Sequence, residues 1–237
     1  MTKIVSRLAA LATCLAVMGW TVAPAAWAED DKLELQTEVD QARTILNQFQ
    51  KIPEKGIPDA VLRNAKGLAF LTVLRAGFII SGSGGKGVVV AKNDDGTWTG
   101  PSFIGTGGAG FGFQIGAQVS EFVMVLNTPE AVNAFAKGGN VSIGAQVSAA
   151  AGPVGRSLGA DVMPQAAIYT YSRAQGLFGG VSLDGTVVAT RKEANAEYYG
   201  ESVSSLAILS GKVDAPAGAE KLRADLAKLT AEARAGE

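Results

Sequence analysis

The chain has 237 residues, 47% of them hydrophobic, with 21 basic against 22 acidic side chains, no histidine and one cysteine, Cys14. That inventory excludes zinc sites of His and Cys, cysteine nucleophiles and Ser-His-Asp triads, and leaves carboxylate, lysine, tyrosine or hydroxyl chemistry. With a formal net charge of −1, nothing in the overall balance invites a nucleic-acid partner.

The first residues read as an export signal. Lys3 and Arg7 form a positive segment, Leu8 to Val22 is apolar, and Ala26-Trp27-Ala28 supplies small residues for cleavage. A membrane anchor competes, since the run approaches the roughly 20 apolar residues of a spanning helix. Leu11-Ala12-Thr13-Cys14 also loosely resembles a lipoprotein site. Cleavage ahead of Glu29-Asp30-Asp31 ranks above both, so residues 1–28 are set apart and 29–237 read as a single domain able to hold a substantial core. The expected location is the periplasm or envelope of a bacterium. Without Cys14 the exported chain has no thiol, so packing alone must stabilise it.

Leu35, Val39, Ala42, Leu46 and Phe49 form one stripe of an amphipathic helix, opposite Glu38, Asp40, Gln41, Arg43 and Asn47. Two prolines and a glycine between Lys51 and Pro58 end it. Asp59 is placed to cap a short second helix through Val61, Leu62 and Ala65, with Gly67 as its stop. The period then becomes that of strands over Leu68 to Leu74, Gly77 to Ser81 and Lys86 to Lys92. Asn93-Asp94-Asp95-Gly96 predicts a hairpin turn with Thr97-Trp98-Thr99 returning, and Phe111 to Leu126 is extended. Thr128-Pro129-Glu130 starts a helix that Gly138-Gly139 stops. Further strands are expected over Val141 to Ala149, Ala166 to Tyr171 and Gly180 to Thr190. Helices follow over Ser202 to Leu209 and from Ala217 to about Arg234, the last with Leu222, Leu226 and Leu229 among its apolar positions.

Ile115-Gly116-Ala117-Gln118-Val119-Ser120 recurs unchanged as Ile143-Gly144-Ala145-Gln146-Val147-Ser148, which predicts two strands in equivalent positions of one sheet. The expected class is α+β: a curved antiparallel β-sheet or partly closed barrel flanked by N-terminal and C-terminal helices.

Gly105-Thr106-Gly107-Gly108-Ala109-Gly110 fits G-x-G-x-x-G, but a dinucleotide site needs a helix next, and Phe111 to Gly116 reads as extended. Turns and close strand approach explain these glycines, and no cofactor is expected. Asn93-Asp94-Asp95 lacks the ligand spacing of a calcium loop and reads as a turn, so no metal is expected. Asp161 and Asp184 are the carboxylates weighed as a pair, but nothing in their context supports catalysis; no catalytic residue is assigned and no enzyme is expected.

The middle of the chain carries Ala65-Lys66-Gly67-Leu68-Ala69, Gly84-Gly85-Lys86-Gly87-Val88-Val89-Val90, Asp95-Gly96-Thr97-Trp98 and Phe135-Ala136-Lys137-Gly138-Gly139-Asn140. Gly152-Pro153-Val154-Gly155-Arg156, Gly176-Leu177-Phe178-Gly179-Gly180-Val181-Ser182-Leu183-Asp184-Gly185 and Tyr198-Tyr199-Gly200 follow. In order and spacing these stretches resemble the SYLF domain family over nearly all of residues 33–229. The resemblance implies binding of phosphoinositides and other acidic lipids through an N-terminal amphipathic helix and nearby basic residues, and in some eukaryotic members actin binding. The export signal and the acidic start of the first helix, with Asp30, Asp31, Glu34 and Glu38, depart from those members. They argue against actin and phosphoinositides and for anionic phospholipid such as phosphatidylglycerol or cardiolipin.

Residues 51–75 carry Lys51, Lys55, Arg63, Lys66 and Arg75 against Glu54 and Asp59. Such a group suits an anionic surface, where each cation contributes on the order of 1 kcal/mol, or an ordinary solvated face. The stripe of the first helix suits a membrane interface or its own core. Arg156 suits a phosphate, or carbonyls around its glycine-rich turn. The expected function is binding of anionic phospholipid through Lys51, Lys55, Arg63, Lys66, Arg75 and Arg156; the alternative is a periplasmic module that holds another envelope protein.

Overall fold

The computed structural model describes residues 23–51, 56–153, 166–174, 177–181, 183 and 186–235. The elements in chain order are α1 (Ala23–Gln50), α2 (Asp59–Asn64), β1 (Gly67–Ala91), β2 (Ser102–Leu126), α3 (Pro129–Ala136), β3 (Asn140–Ser142), β4 (Ala149–Ala151), β5 (Ile168–Ala174), β6 (Leu177–Gly180) and β7 (Val187–Thr190). Three helices follow, α4 (Lys192–Tyr199), α5 (Ser205–Leu209) and α6 (Glu220–Ala235), the last entered through a 3-10 turn at Ala217–Ala219. The α+β class expected from sequence is what the chain adopts.

β1 and β2 are 25 residues each, about 80 Å if straight, twice the diameter expected of a domain this size. They pair along their length, from Gly67↔Leu126 to Val89↔Ser102, with the register slipping between Phe78 and Ile80. The ribbon folds back on itself. Lys92 donates its backbone N–H to the Lys66 carbonyl at 2.9 Å, and a Cβ on Gly87 would collide with the Phe70 carbonyl. Glycine at 67, 85 and 87 is thus demanded by close approach of the two halves of β1. In place of three separate short strands there is one strand bent on glycines, and Gly67 belongs to it rather than to the end of α2.

β5 pairs with the C-terminal half of β2 (Leu126↔Ile168) and β7 with the N-terminal half (Ile104↔Thr190). β3 lies outside β7, β6 pairs with β5, and the pairing of β4 with β5 is parallel, which makes the half-barrel mixed rather than wholly antiparallel. Alternation along β1 divides the interior between two faces. Leu68, Phe70, Val88 and Val90 pack with α1 and α6 on one face. Ala69, Leu71, Val89 and Ala91 pack with α3 and α5 on the other.

Several local expectations hold. Thr128 caps α3 by accepting from the Ala131 N–H at 3.2 Å, with Pro129 at the first turn. Gly138 and Gly139 stop it at φ 72° and 86°, and Gly96 takes φ 85° in the Asn93–Gly96 turn. Others are corrected. Pro58, not Asp59, is the N-cap of α2, and Asp59 places its charge in the first turn. The repeated hexapeptide adopts two conformations: residues 115–120 lie in β2, while 143–148 form a turn between β3 and β4 in which Gly144 takes φ 88°. The first copy has β1 as its ladder partner. The second closes on itself through the Gly144 N–H to the Val147 carbonyl at 2.8 Å. The strand expected over Val141 to Ala149 is therefore two short strands and this turn. α4 had no counterpart in the sequence reading.

Candidate functional site

The stripe on α1 is spent on the fold. Leu35, Val39, Ala42, Leu46 and Phe49 are all buried, together with Ile45. The polar face is tied down as well. Arg43 donates to Asp225 of α6 at 2.9 Å, Glu38 accepts from Arg191 at 2.6 and 2.7 Å, and Gln41 donates to Glu121 of β2 at 3.0 Å. Glu34 pairs with Lys86, which holds its carboxyl below the usual range. Among the two uses open to this stripe the structure takes the core, and among the described side chains of the helix only Leu33 stands out as an exposed large apolar residue, at 67%. Membrane contact by the stripe would require α1 to undock.

The basic residues divide into two places. Lys51 at the end of α1 lines a cavity of about 410 Å³ with Phe49, Ile57, Leu62, Leu229 and Glu232. Arg63 of α2 is half-buried and donates to the Ala233 carbonyl near the end of α6 at 3.2 Å. It braces a helix terminus, where a cation also meets the negative end of the dipole. Lys66 leaves α2 exposed. Arg75 lies nine residues further on, in β1, roughly 30 Å of strand from Lys66. Lys51, Lys66 and Arg75 are exposed and make no ion pair among the described residues. Lys55, Arg156, Asp161, Asp184 and Cys14 lie outside the described residues.

Buried polar groups serve structure. Asn195 of α4 accepts from the Phe103 N–H at 2.7 Å and donates to Ser102 and Ser205 at 3.1 and 3.3 Å, joining β2, α4 and α5. No local pattern in the sequence marks Asn195 as a buried asparagine. Residues 105–110 all lie in β2, so no helix follows the G-x-G-x-x-G stretch. Asp95 caps its own turn, accepting from the Thr97 N–H at 2.8 Å, and those bonds lower its carboxyl's affinity for protons. Among the described residues no cluster of acidic side chains could hold a metal. Among them, too, no helix is long and apolar enough to cross a membrane.

A feature that sequence reasoning passed over is the outer part of the folded ribbon. β7 leaves β2 at Thr106 and β5 joins it at Ser120, so between them β2 pairs, among the described residues, with β1 alone. Leu74 and Val119, partners in the register, are 50% and 54% exposed. Arg75, Ala76, Gly82, Gly84, Gly107 and Ala117 are exposed around them.

Comparison with known proteins places this geometry among relatives. Residues 107–229 match the family described as "Ysc84: Las17-binding protein actin regulator". The chain is 45% identical over 195 residues to the human SH3 domain-containing YSC84-like protein 1, covering 79% of this chain and 57% of that protein. It is 43% identical over 197 residues to Protein YSC84 of Saccharomyces cerevisiae, covering 42% of it. It is 44% identical to the SH3 domain-containing protein PJ696.02 of Schizosaccharomyces pombe, covering 46%. The chain thus spans about half the length of these relatives. The family's description leans against setting actin aside, as the export signal and the acidic start of α1 had suggested.

Proposed function

This chain belongs to the Ysc84 family of SYLF-domain proteins, and on that premise we propose that it is an exported, envelope-associated binding module, not an enzyme, whose ligand is an anionic phospholipid surface. The observation that carries the reading is that Lys51, Lys66 and Arg75 stand exposed without an acidic partner among the described residues, whereas Arg43, Lys86, Arg173 and Arg191 are spent on ion pairs within the fold. Lys55 and Arg156 complete the set as expected from sequence. Arg63 supports the corner through the Ala233 carbonyl rather than meeting lipid.

Sedimentation of the purified protein with vesicles tests this. Binding is expected with phosphatidylglycerol or cardiolipin, absent with neutral lipid, and weakened as salt shortens the Debye length from about 10 Å at 0.1 M. Reversing Lys51, Lys55 and Lys66 to glutamate should cost on the order of a hundredfold in affinity, at roughly 1 kcal/mol for each cation lost. Undiminished binding by that folded variant would remove the corner as the site. The family's description as a Las17-binding actin regulator favours a second reading, a module that binds a protein partner. Co-sedimentation with actin filaments, and none with any vesicle, would establish it in place of the first.

A further inference from the structure

We propose that the outer part of the folded β1–β2 ribbon is a wedge that seats in the interface of an anionic membrane, with Leu74 and Val119 as its apolar contact and Arg75 as its headgroup contact. The inference rests on the lipid reading above but assigns the contact to a different place in the fold from the Lys51–Lys66 corner.

Four observations carry it. Residues 76–85 and 96–120 contain no charged side chain in a chain that is 18% charged; the tip positions among them, 76–85 and 107–119, would hold about four at that average. Much of this stretch is not interior: Ala76, Gly82, Gly84, Gly107 and Ala117 are exposed, and the register partners Leu74 and Val119 are half-exposed. An added Cβ at Gly82 or Gly84 would meet nothing within 4 Å among the described residues, so none of them packs against those two positions. Arg75, next to Leu74, is exposed with no acidic partner among the described residues.

A charge-free apolar element with one unpaired cation at its base is complementary to a bilayer interface, where the stem of an arginine lies along apolar surface and its guanidinium meets phosphate. The ribbon also sets the depth. Among the described residues no strand but β1 pairs with β2 between residues 107 and 119, and unpaired backbone groups are not tolerated in the hydrocarbon. Seating therefore stops at the headgroup and upper acyl level, as it does for interfacial elements generally.

The test combines two variants and two readouts on phosphatidylglycerol vesicles. Leu74→Asp with Val119→Asp changes two exposed positions and should leave the melting temperature within a few degrees of the parent, while vesicle binding falls about tenfold or more, since apolar contact is lost and two like charges face the lipid. Val119→Cys carrying an environment-sensitive fluorophore should shift to the blue when vesicles are added. Parent-like binding by the double variant, together with an unshifted probe, would overturn the wedge while leaving the lipid reading in place. Failure of the parent itself to bind any vesicle would overturn both. If the parent is a dimer that the double variant dissociates, and the probe shifts without lipid, the ribbon is a contact between two copies and the wedge is equally overturned.

Discussion

At Gly87 one hydrogen atom decides how the ribbon folds. A Cβ there would collide with the Phe70 carbonyl and reach the Leu71 backbone, atoms that cannot step aside as a flexible side chain would. Gly82 is five residues away in the same strand, and a Cβ there would meet open space. Gly87→Ala should therefore destabilise the domain by about 3 kcal/mol or more, or prevent folding, because overpacking is compounded by separation of a strand pair. Gly82→Ala should change stability by under about 1 kcal/mol, by lowering the entropy of the unfolded chain. Thermal unfolding of the two variants side by side checks this, and equal losses would show that the two halves of β1 are not in close contact. Sequence shows both as glycines in a glycine-rich run. What separates them is a partner seventeen positions back in the same strand, which no local pattern encodes.

At the level of elements, helices with their own chemical punctuation were legible and those without it were not. α3 announces itself by Thr128, Pro129 and the paired glycines 138 and 139, and α6 by leucines at helical spacing. α4 has no side-chain cap, and its N-cap, Arg191, is turned toward Glu38 of α1 instead. The repeated hexapeptide failed as a guide because six residues do not determine their conformation; the neighbouring strand does. The α1 stripe was legible as a stripe but not as to what it faces. Val39 is fully buried among the residues of the core, so Val39→Asp should cost about 3 kcal/mol or more by burying an unpaired carboxylate. Urea unfolding would show it as a lower midpoint with vesicles absent. A variant that kept its midpoint and lost only vesicle binding would mean that α1 faces lipid, against the burial seen here.

Across the whole molecule the two ends of the chain meet. α1 packs with α6 in one apolar cluster, and Gln36 of α1 donates to the Gly218 carbonyl at 3.1 Å and accepts from the Tyr198 hydroxyl at 3.1 Å. The class and the flanking helices were readable from sequence; this closure was not, because it rests on pairings more than 150 residues apart. It also gives the domain a pH dependence. Burial pushes the Tyr198 phenol up to about 12, and Tyr171 and Tyr199 are raised for the same reason. Their hydroxyls bridge separate parts of the chain, Tyr171 to the Pro153 carbonyl and Tyr199 to the Pro101 carbonyl, each at 3.1 Å. A raised phenol means that the folded chain holds its proton more tightly than the unfolded one. The stability it contributes is complete below about pH 10, the unfolded value, and is lost as pH rises through the folded value. The urea midpoint should hold from pH 8 to about 9.5 and fall steeply by pH 11.5. Lysines also lose their charge in that range, so Tyr198→Phe is the control. Removing one titrating phenol should flatten the decline, whereas an identical decline in parent and variant would place its origin in the lysines.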